Sequence, residues 1–193
     1  MQFGLTETQQ VLKNSAREFF SAECPNPEVR RLMETGTAYD AALWQKMAHQ
    51  GWTGIIFGEE HGGLGLGLVE MAVALEEMGR VLVPGPYLST VLLAGTAIDA
   101  AGSPAQKKQY LGRIAKGEAR ATLALLEADA RWDADAVRLA AQPSRGGVTL
   151  TGRKMFVPDA AVADFLVCAA RSGGELGLFI VPGDAAEIGR AHV

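Results

Sequence analysis

The first half of the chain repeats its apolar residues with a period near 3.6, and the last third repeats them with a period near 2. Leu5, Leu12, Ala16 and Phe19 form one stripe behind Thr6, a residue suited to capping a helix N-terminus. A short helix is expected over Asn26–Glu34, with Pro27 in its first turn. Asp40 then caps a helix carrying Leu43, Trp44 and Met47, which closes at Gly51 and is followed by a short apolar run, Ile55 to Phe57. Beyond a glycine-rich loop, Leu68, Met71, Ala72, Leu75, Met78 and Leu82 fall on one helical face, with Glu70, Glu76, Glu77 and Arg80 mostly on another. The pairs Glu59-Glu60 and Glu76-Glu77 read as solvated. Pro84 and Pro86 end this pattern. From Tyr87 to Ala101 the segment is apolar nearly all round, which predicts a helix inside a bundle. Ser103 as N-cap, Pro104 at the first position and Gly117 as C-cap frame one more helix.

After Glu118 the pattern becomes short alternating runs: "ATLALLE", "AVRLAAQ", "GVTLTG", "KMFVPD", "DFLVCAAR" and "LGLFIVP". Arg145-Gly146-Gly147 and Ser172-Gly173-Gly174 supply turns between them. The expected fold class is α+β: an N-terminal all-α helical bundle over 1–118, followed by a truncated antiparallel β domain over 119–186.

Composition narrows the function. The 193 residues are 48% hydrophobic, enough for a real core, and the net charge of -4 leaves no basic footprint for nucleic acid or anionic membrane. The most apolar window is interrupted by Pro84, Gly85 and Pro86 and closed by Asp99, too short a run to span a bilayer. "MQFGLTETQQ" lacks the basic start and apolar block of a signal peptide, so a cytoplasmic setting is the expectation. Cys24 and Cys168 fit no metal or redox spacing and read as two thiols in a reducing compartment. His49, His61 and His192 have no second ligand at helical spacing, and no G-x-S-x-G elbow exists; neither a catalytic group nor a metal site is assigned.

The stretch "GEEHGGLGLGLVEM" places five glycines from Gly58 to Gly67 before an amphipathic helix. Such a loop could cradle a phosphate. Its spacing is G-x-G-x-G rather than G-x-G-x-x-G, no Gly-Lys-Ser/Thr is present, and what precedes it is helical, so a structural turn is the expectation.

Three segments in order, "WQKMAHQGWTGIIFGEEHGGLGLGLVEMAVALEEMGR", "GSPAQKKQYLGRIAKGEARATLALLE" and "TLTGRKMFVPDAAVADFLVCAAR", make the chain resemble the acyl-CoA dehydrogenase family. The resemblance implies an N-terminal helical domain, a middle β domain and a C-terminal helical bundle, with the glycine loop joining two helices. It also implies FAD held between the last two domains. A carboxylate of the C-terminal bundle takes the α proton of an acyl-CoA thioester, and the β hydrogen leaves as hydride to flavin N5.

Two motifs of the family bear on the flavin. Where it has T-E-P-x-x-G-S-D, this chain has "LEADARWD", keeping Glu127 and Asp133 but carrying Leu126, Ala128, Arg131 and Trp132 in place of Thr, Pro, Gly and Ser. Where it has K-x-W-I-T-N, Lys154, Phe156 and Val157 fit, while Pro158 and Asp159 replace Thr and Asn. The resemblance thus implies cofactor contacts from Leu125, Leu126, Trp132, Phe156, Val157 and Pro158, and substrate contacts from Tyr87, Val91 and Asp133. The Pro158 exchange removes a hydroxyl and an N–H. Implied partners are the acyl-CoA substrate, an electron-transfer flavoprotein, and further subunits in a homo- or hetero-oligomer. Two alternatives accompany this reading: a structural partner subunit that holds no flavin, and a related flavin oxidase or monooxygenase. The final "EIGRAHV" has no counterpart expected in the family and matches a translated sequencing adapter. Residues 187–193 are therefore expected to be a non-native tail on the leading portion of a longer protein.

Overall fold

In a computed structural model of the chain, residues 4–36, 38–145, 147–185 and 188–189 are described. The tail expected at 187–193 falls outside them except for Ile188 and Gly189. The chain forms two compact units, Met1–Gly85 with Leu111–Glu118, and Pro86–Tyr110 with Ala119–Val193.

The first unit contains α1 (Glu7–Glu23), α2 (Asn26–Met33), α3 (Ala41–His49) and α4 (Leu68–Arg80), and it receives the end of α6 (Pro104–Ala115). The helix starts follow from local chemistry. Thr6 Oγ1 accepts from Gln9 N at 3.2 Å while Gln9 Oε1 accepts from Thr6 N at 3.0 Å, a reciprocal box that satisfies two otherwise orphaned donors. Asp40 Oδ1 accepts from Leu43 N at 2.9 Å. At the C-terminal end of α6, Gly117 takes φ +71°, and its carbonyl accepts from Trp44 Nε1 at 3.1 Å and Gln45 Nε2 at 2.8 Å. Phe20, Met47, Ile55, Phe57, Met71, Leu111 and Ile114 are fully buried and form the core of this unit.

Helices α1 and α4 are joined by a ladder of polar contacts: Gln9 to Glu70 at 2.8 Å, Lys13 to Glu76 at 2.9 Å, and Arg17 to Glu77 at 2.8 Å. Two expectations are corrected here. Glu77 is not solvated; it is 1% exposed, held by Arg17 and by Arg80 Nε at 2.8 Å. The inward face of α4 is Met71, Val73, Ala74, Glu77 and Met78, whereas Leu68 and Leu82 are exposed. A carboxylate with two guanidinium partners can occupy the seam beside the four apolar residues of this face.

The glycine loop is a structural turn. Every backbone N–H from His61 to Gly67 is donated within the unit, the central ones to carbonyls of the 54–57 segment: Leu64 N to Gly54 O at 3.0 Å, Gly65 N to Phe57 O at 2.8 Å and Leu66 N to Ile55 O at 3.0 Å. No donor in this run is left for an anion.

The second unit begins with a π-helical segment, Leu88–Gly95, that continues into α5 (Thr96–Ala101) and then α6. A hydroxyl box of Ser103 and Gln106 caps α6. The sheet comprises β1 (Ala121–Ala124), β2 (Ala140–Ser144), β3 (Gly147–Thr151), β4 (Phe165–Ser172) and β5 (Glu175–Pro182), in the order β1-β4-β2-β3 with β5 also on β4. One boundary between the compact units falls at the change of pattern, between Glu118 and Ala119, while residues 86–110 group with the strands. One tie is Thr90, whose hydroxyl donates to Ala121 O at 2.9 Å and accepts from Ala121 N at 3.0 Å.

The α+β class holds, but the sheet is mixed rather than antiparallel throughout. The short-loop hairpins β2-β3 and β4-β5 are antiparallel, the latter turning on Gly173 and Gly174 at φ +58° and +90°. Strand β1 runs parallel to β4, from Ala121 opposite Phe165 to Ala124 opposite Cys168, and β2 meets β4 in parallel at Ala140 and Arg171. The long connection from β1 to β4 permits that direction. The run "KMFVPD" forms no strand: Pro158 has no N–H for a ladder, and Phe156 and Asp159 lie at φ +50° and +52°. Among the described residues no helix is long and apolar enough to cross a membrane.

Candidate functional site

The two loops that carry the flavin-motif positions lie together in the second unit. After β1 the chain leaves the sheet at Leu125 and passes through Glu127 to Asp133; after β3 it returns through Lys154 to Asp159. Lys154 Nζ donates to Glu127 Oε1 at 2.8 Å and to Leu125 O at 3.0 Å, and Met155 N donates to Leu126 O at 2.8 Å. Both charged side chains are largely buried. Glu127 also accepts from Leu139 N at 3.0 Å and Arg138 N at 3.1 Å. Burial pushes its carboxyl up, but the bond from Lys154, the two backbone donors and the Lys154 charge together outweigh this and hold it below the usual range. Glu127 is thus a fixed anion with its oxygens engaged. Its arrangement suits a bracket between loops and not a proton acceptor. Cys168, on β4, has its thiol pushed up by burial, with Lys154 pulling it down and Glu127 adding to the rise.

The bracket leaves Phe156 projecting. Its backbone is left-handed at φ +50°, uncommon for a bulky residue, and the residue is 75% exposed. Pro158 O accepts from Thr122 Oγ1 at 2.6 Å, and Asp159 Oδ2 accepts from Ser89 Oγ at 2.6 Å. On the other loop Trp132 is 73% exposed, and Ala130, two residues before it, is left-handed at φ +53°. Leu126 is buried, Leu125 and Val157 are half-buried, and Pro158 is exposed. Asp133 pairs with Arg131 at 2.9 Å on the surface.

Tyr87 and Val91 stand at the start of the π-helical segment and are buried, with 4% and 0% exposure; burial pushes the Tyr87 phenol up. Ser89 and Thr90 escaped the sequence reading. The available signal was two hydroxyls together in an otherwise apolar helix, which require partners when buried. Both have them: Ser89 on Asp159 and Pro86 O, Thr90 on β1.

Chemically, the site offers two exposed aromatic rings, that of Phe156 on left-handed backbone, beside a bracket of hydrogen-bonded carbonyls. These residues fit a flat aromatic ring through stacking at Phe156. They supply no side-chain hydroxyl at 158, and the nearby Ser89 and Thr122 donate within the protein. Among the described residues no group of three or more His, Cys, Asp or Glu could hold a metal.

Residues 6–118 match the family model described as acyl-CoA dehydrogenase, N-terminal domain. The chain is 35% identical over 181 residues to an acryloyl-CoA reductase (NADH) of Anaerotignum propionicum, covering 92% of this chain and 45% of that protein. Its structure is similar to butyryl-CoA dehydrogenase from Megasphaera elsdenii, with 27% identity, a TM-score of 0.80, and 94% of this chain and 50% of that one covered. It is also similar to a chain of the ChsE4-ChsE5 complex from Mycobacterium tuberculosis, with 27% identity, a TM-score of 0.83, and 94% and 49% covered. The chain spans about half the length of the relatives it matches. On this match of sequence and structure, the chain belongs to the acyl-CoA dehydrogenase family.

Proposed function

We propose that this chain is the N-terminal portion of an FAD-dependent acyl-CoA dehydrogenase that forms the α,β double bond of an acyl-CoA thioester. When bound, FAD supplies the acceptor for the β hydrogen of the substrate. The observation that carries the reading is the Lys154–Glu127 bridge, which joins the two motif loops while Phe156 stays exposed on a left-handed backbone. In this reading Phe156 and Trp132 give aromatic faces to the cofactor, and Leu125, Leu126, Val157 and Pro158 give backbone and apolar contact. Asp133 faces the thioester end of the substrate. Tyr87 and Val91, both buried, shape the acyl pocket from behind its wall by setting how the π-helical segment packs. The proton-abstracting carboxylate is assigned to none of the residues here. An electron-transfer flavoprotein as acceptor, an oligomeric enzyme and a cytoplasmic setting belong to the same reading.

A second reading is favoured by one residue. Pro158 has neither hydroxyl nor N–H to offer a flavin, and its carbonyl is already held by Thr122. A subunit that shapes a heteromeric enzyme without holding flavin would tolerate that exchange, and the similarity to a chain of a two-component complex is consistent with it. The experiment is to purify the full-length protein, with any subunits that accompany it, and record the flavin absorption. Flavin bound in proportion to this chain supports the first reading. A folded protein without flavin supports the second.

A further inference from the structure

We infer that Ser89 and Asp159 are positioning residues, a hydrogen-bonded clamp from the π-helical segment that holds the Phe156 ring ready for a flat aromatic ligand. The inference rests on the flavin reading above.

The loop from Lys154 to Asp159 is pinned at both ends. At one end Lys154 and Met155 are bound to the Leu125–Glu127 segment. At the other, Pro158 O is bound by Thr122 and the Asp159 carboxylate by Ser89. A serine hydroxyl has a single hydrogen. The Asp159 contact takes it, since 2.6 Å is the length of an O–H bond to a carboxylate, and Pro86 O, at 3.0 Å, is the weaker acceptor. Ser89 is fully buried, so this donor has no water to turn to.

Between the pins Phe156 occupies the left-handed region, an outlier conformation for a bulky residue, and Asp159, at the second pin, lies there too. Strain of this kind persists only where surrounding bonds over-determine it, and it collects at ligand sites. An exposed phenylalanine gains nothing from the folded state by being held there. The clamp therefore acts against local preference, and the feature it fixes is the orientation of an exposed aromatic face. A π-helical turn, itself uncommon and frequent at functional sites, is the element from which Ser89 reaches Asp159. The same segment carries Tyr87 and Val91, so one helix shapes the proposed acyl wall and holds the proposed flavin contact.

The test uses the full-length protein as purified. Flavin affinity, the absorption band of the bound flavin and hydrogen exchange of the 154–160 amides without flavin are measured for Ser89→Ala, Asp159→Ala and Asp159→Asn. Ser89→Ala and Asp159→Ala should each weaken flavin binding by about tenfold, the loss expected for a bond to a charged group. Both should also shift the absorption band and speed exchange in the loop. Asp159→Asn keeps an acceptor oxygen in the same place and should restore most of the affinity. A purely structural role would lower the melting temperature without moving the band and would gain nothing specific from Asn. If Ser89→Ala fails to fold, Asp159→Ala, at a partly exposed position, gives the same readout. Flavin binding that is weakened by Phe156→Ala but untouched by either clamp variant overturns this inference alone. A folded wild-type protein without flavin overturns the reading of the site and the clamp with it.

Discussion

Lys154 Nζ lies 2.8 Å from Glu127 Oε1, and this one contact connects two loops twenty-seven residues apart in the chain. Both side chains are withdrawn from water, and Glu127 takes two backbone donors besides. A bond of this kind is costly to break from one side, because the buried charge left behind keeps its backbone donors but loses its countercharge.

Lys154→Met should therefore destabilise the protein by about 2–4 kcal/mol in denaturant unfolding, since it strands the Glu127 carboxylate. Glu127→Gln, which keeps the shape and an acceptor, should cost less, about 1–2 kcal/mol. A Lys154→Met protein as stable as wild type would show that the loops are held by their backbone bonds alone.

The buried Glu77 predicts an acid-side loss of stability. The hydrogen bond from Arg17 comes first in lowering its carboxyl; burial opposes it, and Arg80 assists, leaving it at about 2. A carboxyl depressed in the folded state stabilises fully above the ordinary carboxylate range, and that contribution disappears as pH falls through about 2. Unfolding free energy should decline across this window in the wild type. Glu77→Gln should be less stable at neutral pH and show a shallower decline, and equal slopes for the two proteins would remove Glu77 as the cause.

Two glycines of one loop should respond differently to alanine. A Cβ at Gly63 would overlap Phe57 O and lie 2.5 Å from Gly54 O, and these are backbone atoms that cannot step aside. Gly63→Ala should cost about 2–4 kcal/mol or prevent folding of the helical unit. At Gly65 nothing lies within 4 Å, and only the left-handed φ of +62° opposes a side chain, so Gly65→Ala should cost about 1–2 kcal/mol. Thermal unfolding of the pair decides whether close packing or backbone conformation makes the glycines necessary.

Phe156→Gly should separate stability from binding. Removing an exposed side chain from a left-handed backbone position relieves strain, so the melting temperature should rise, by the equivalent of about 1 kcal/mol. Flavin retention should fall in the same variant, a trade expected where strain serves a site. A drop in melting temperature would show that Phe156 packs against the protein.

What the sequence by itself determined is what depends on neighbours within a turn. Thr6, Asp40, Ser103 and Gly117 mark helix ends because capping acts over three or four residues, and each sits where its chemistry places it. The Gly173-Gly174 turn is likewise local. The two motif loops were legible as composition, since Glu127 and Lys154 stand in recognisable strings. Tertiary structure decided the rest. The burial of Glu77 depends on Arg17, sixty residues earlier, and without that partner an acid on α4 reads as solvated. The parallel pairing of β1 with β4 depends on a connection long enough to reverse the chain, which strand patterning does not reveal. The Ser89–Asp159 bond joins an apolar helix to an irregular loop seventy residues on, and neither segment alone calls for the other. Local rules act through backbone geometry repeated every few residues. A hydroxyl meeting a carboxylate across the core is set only when the whole chain has packed.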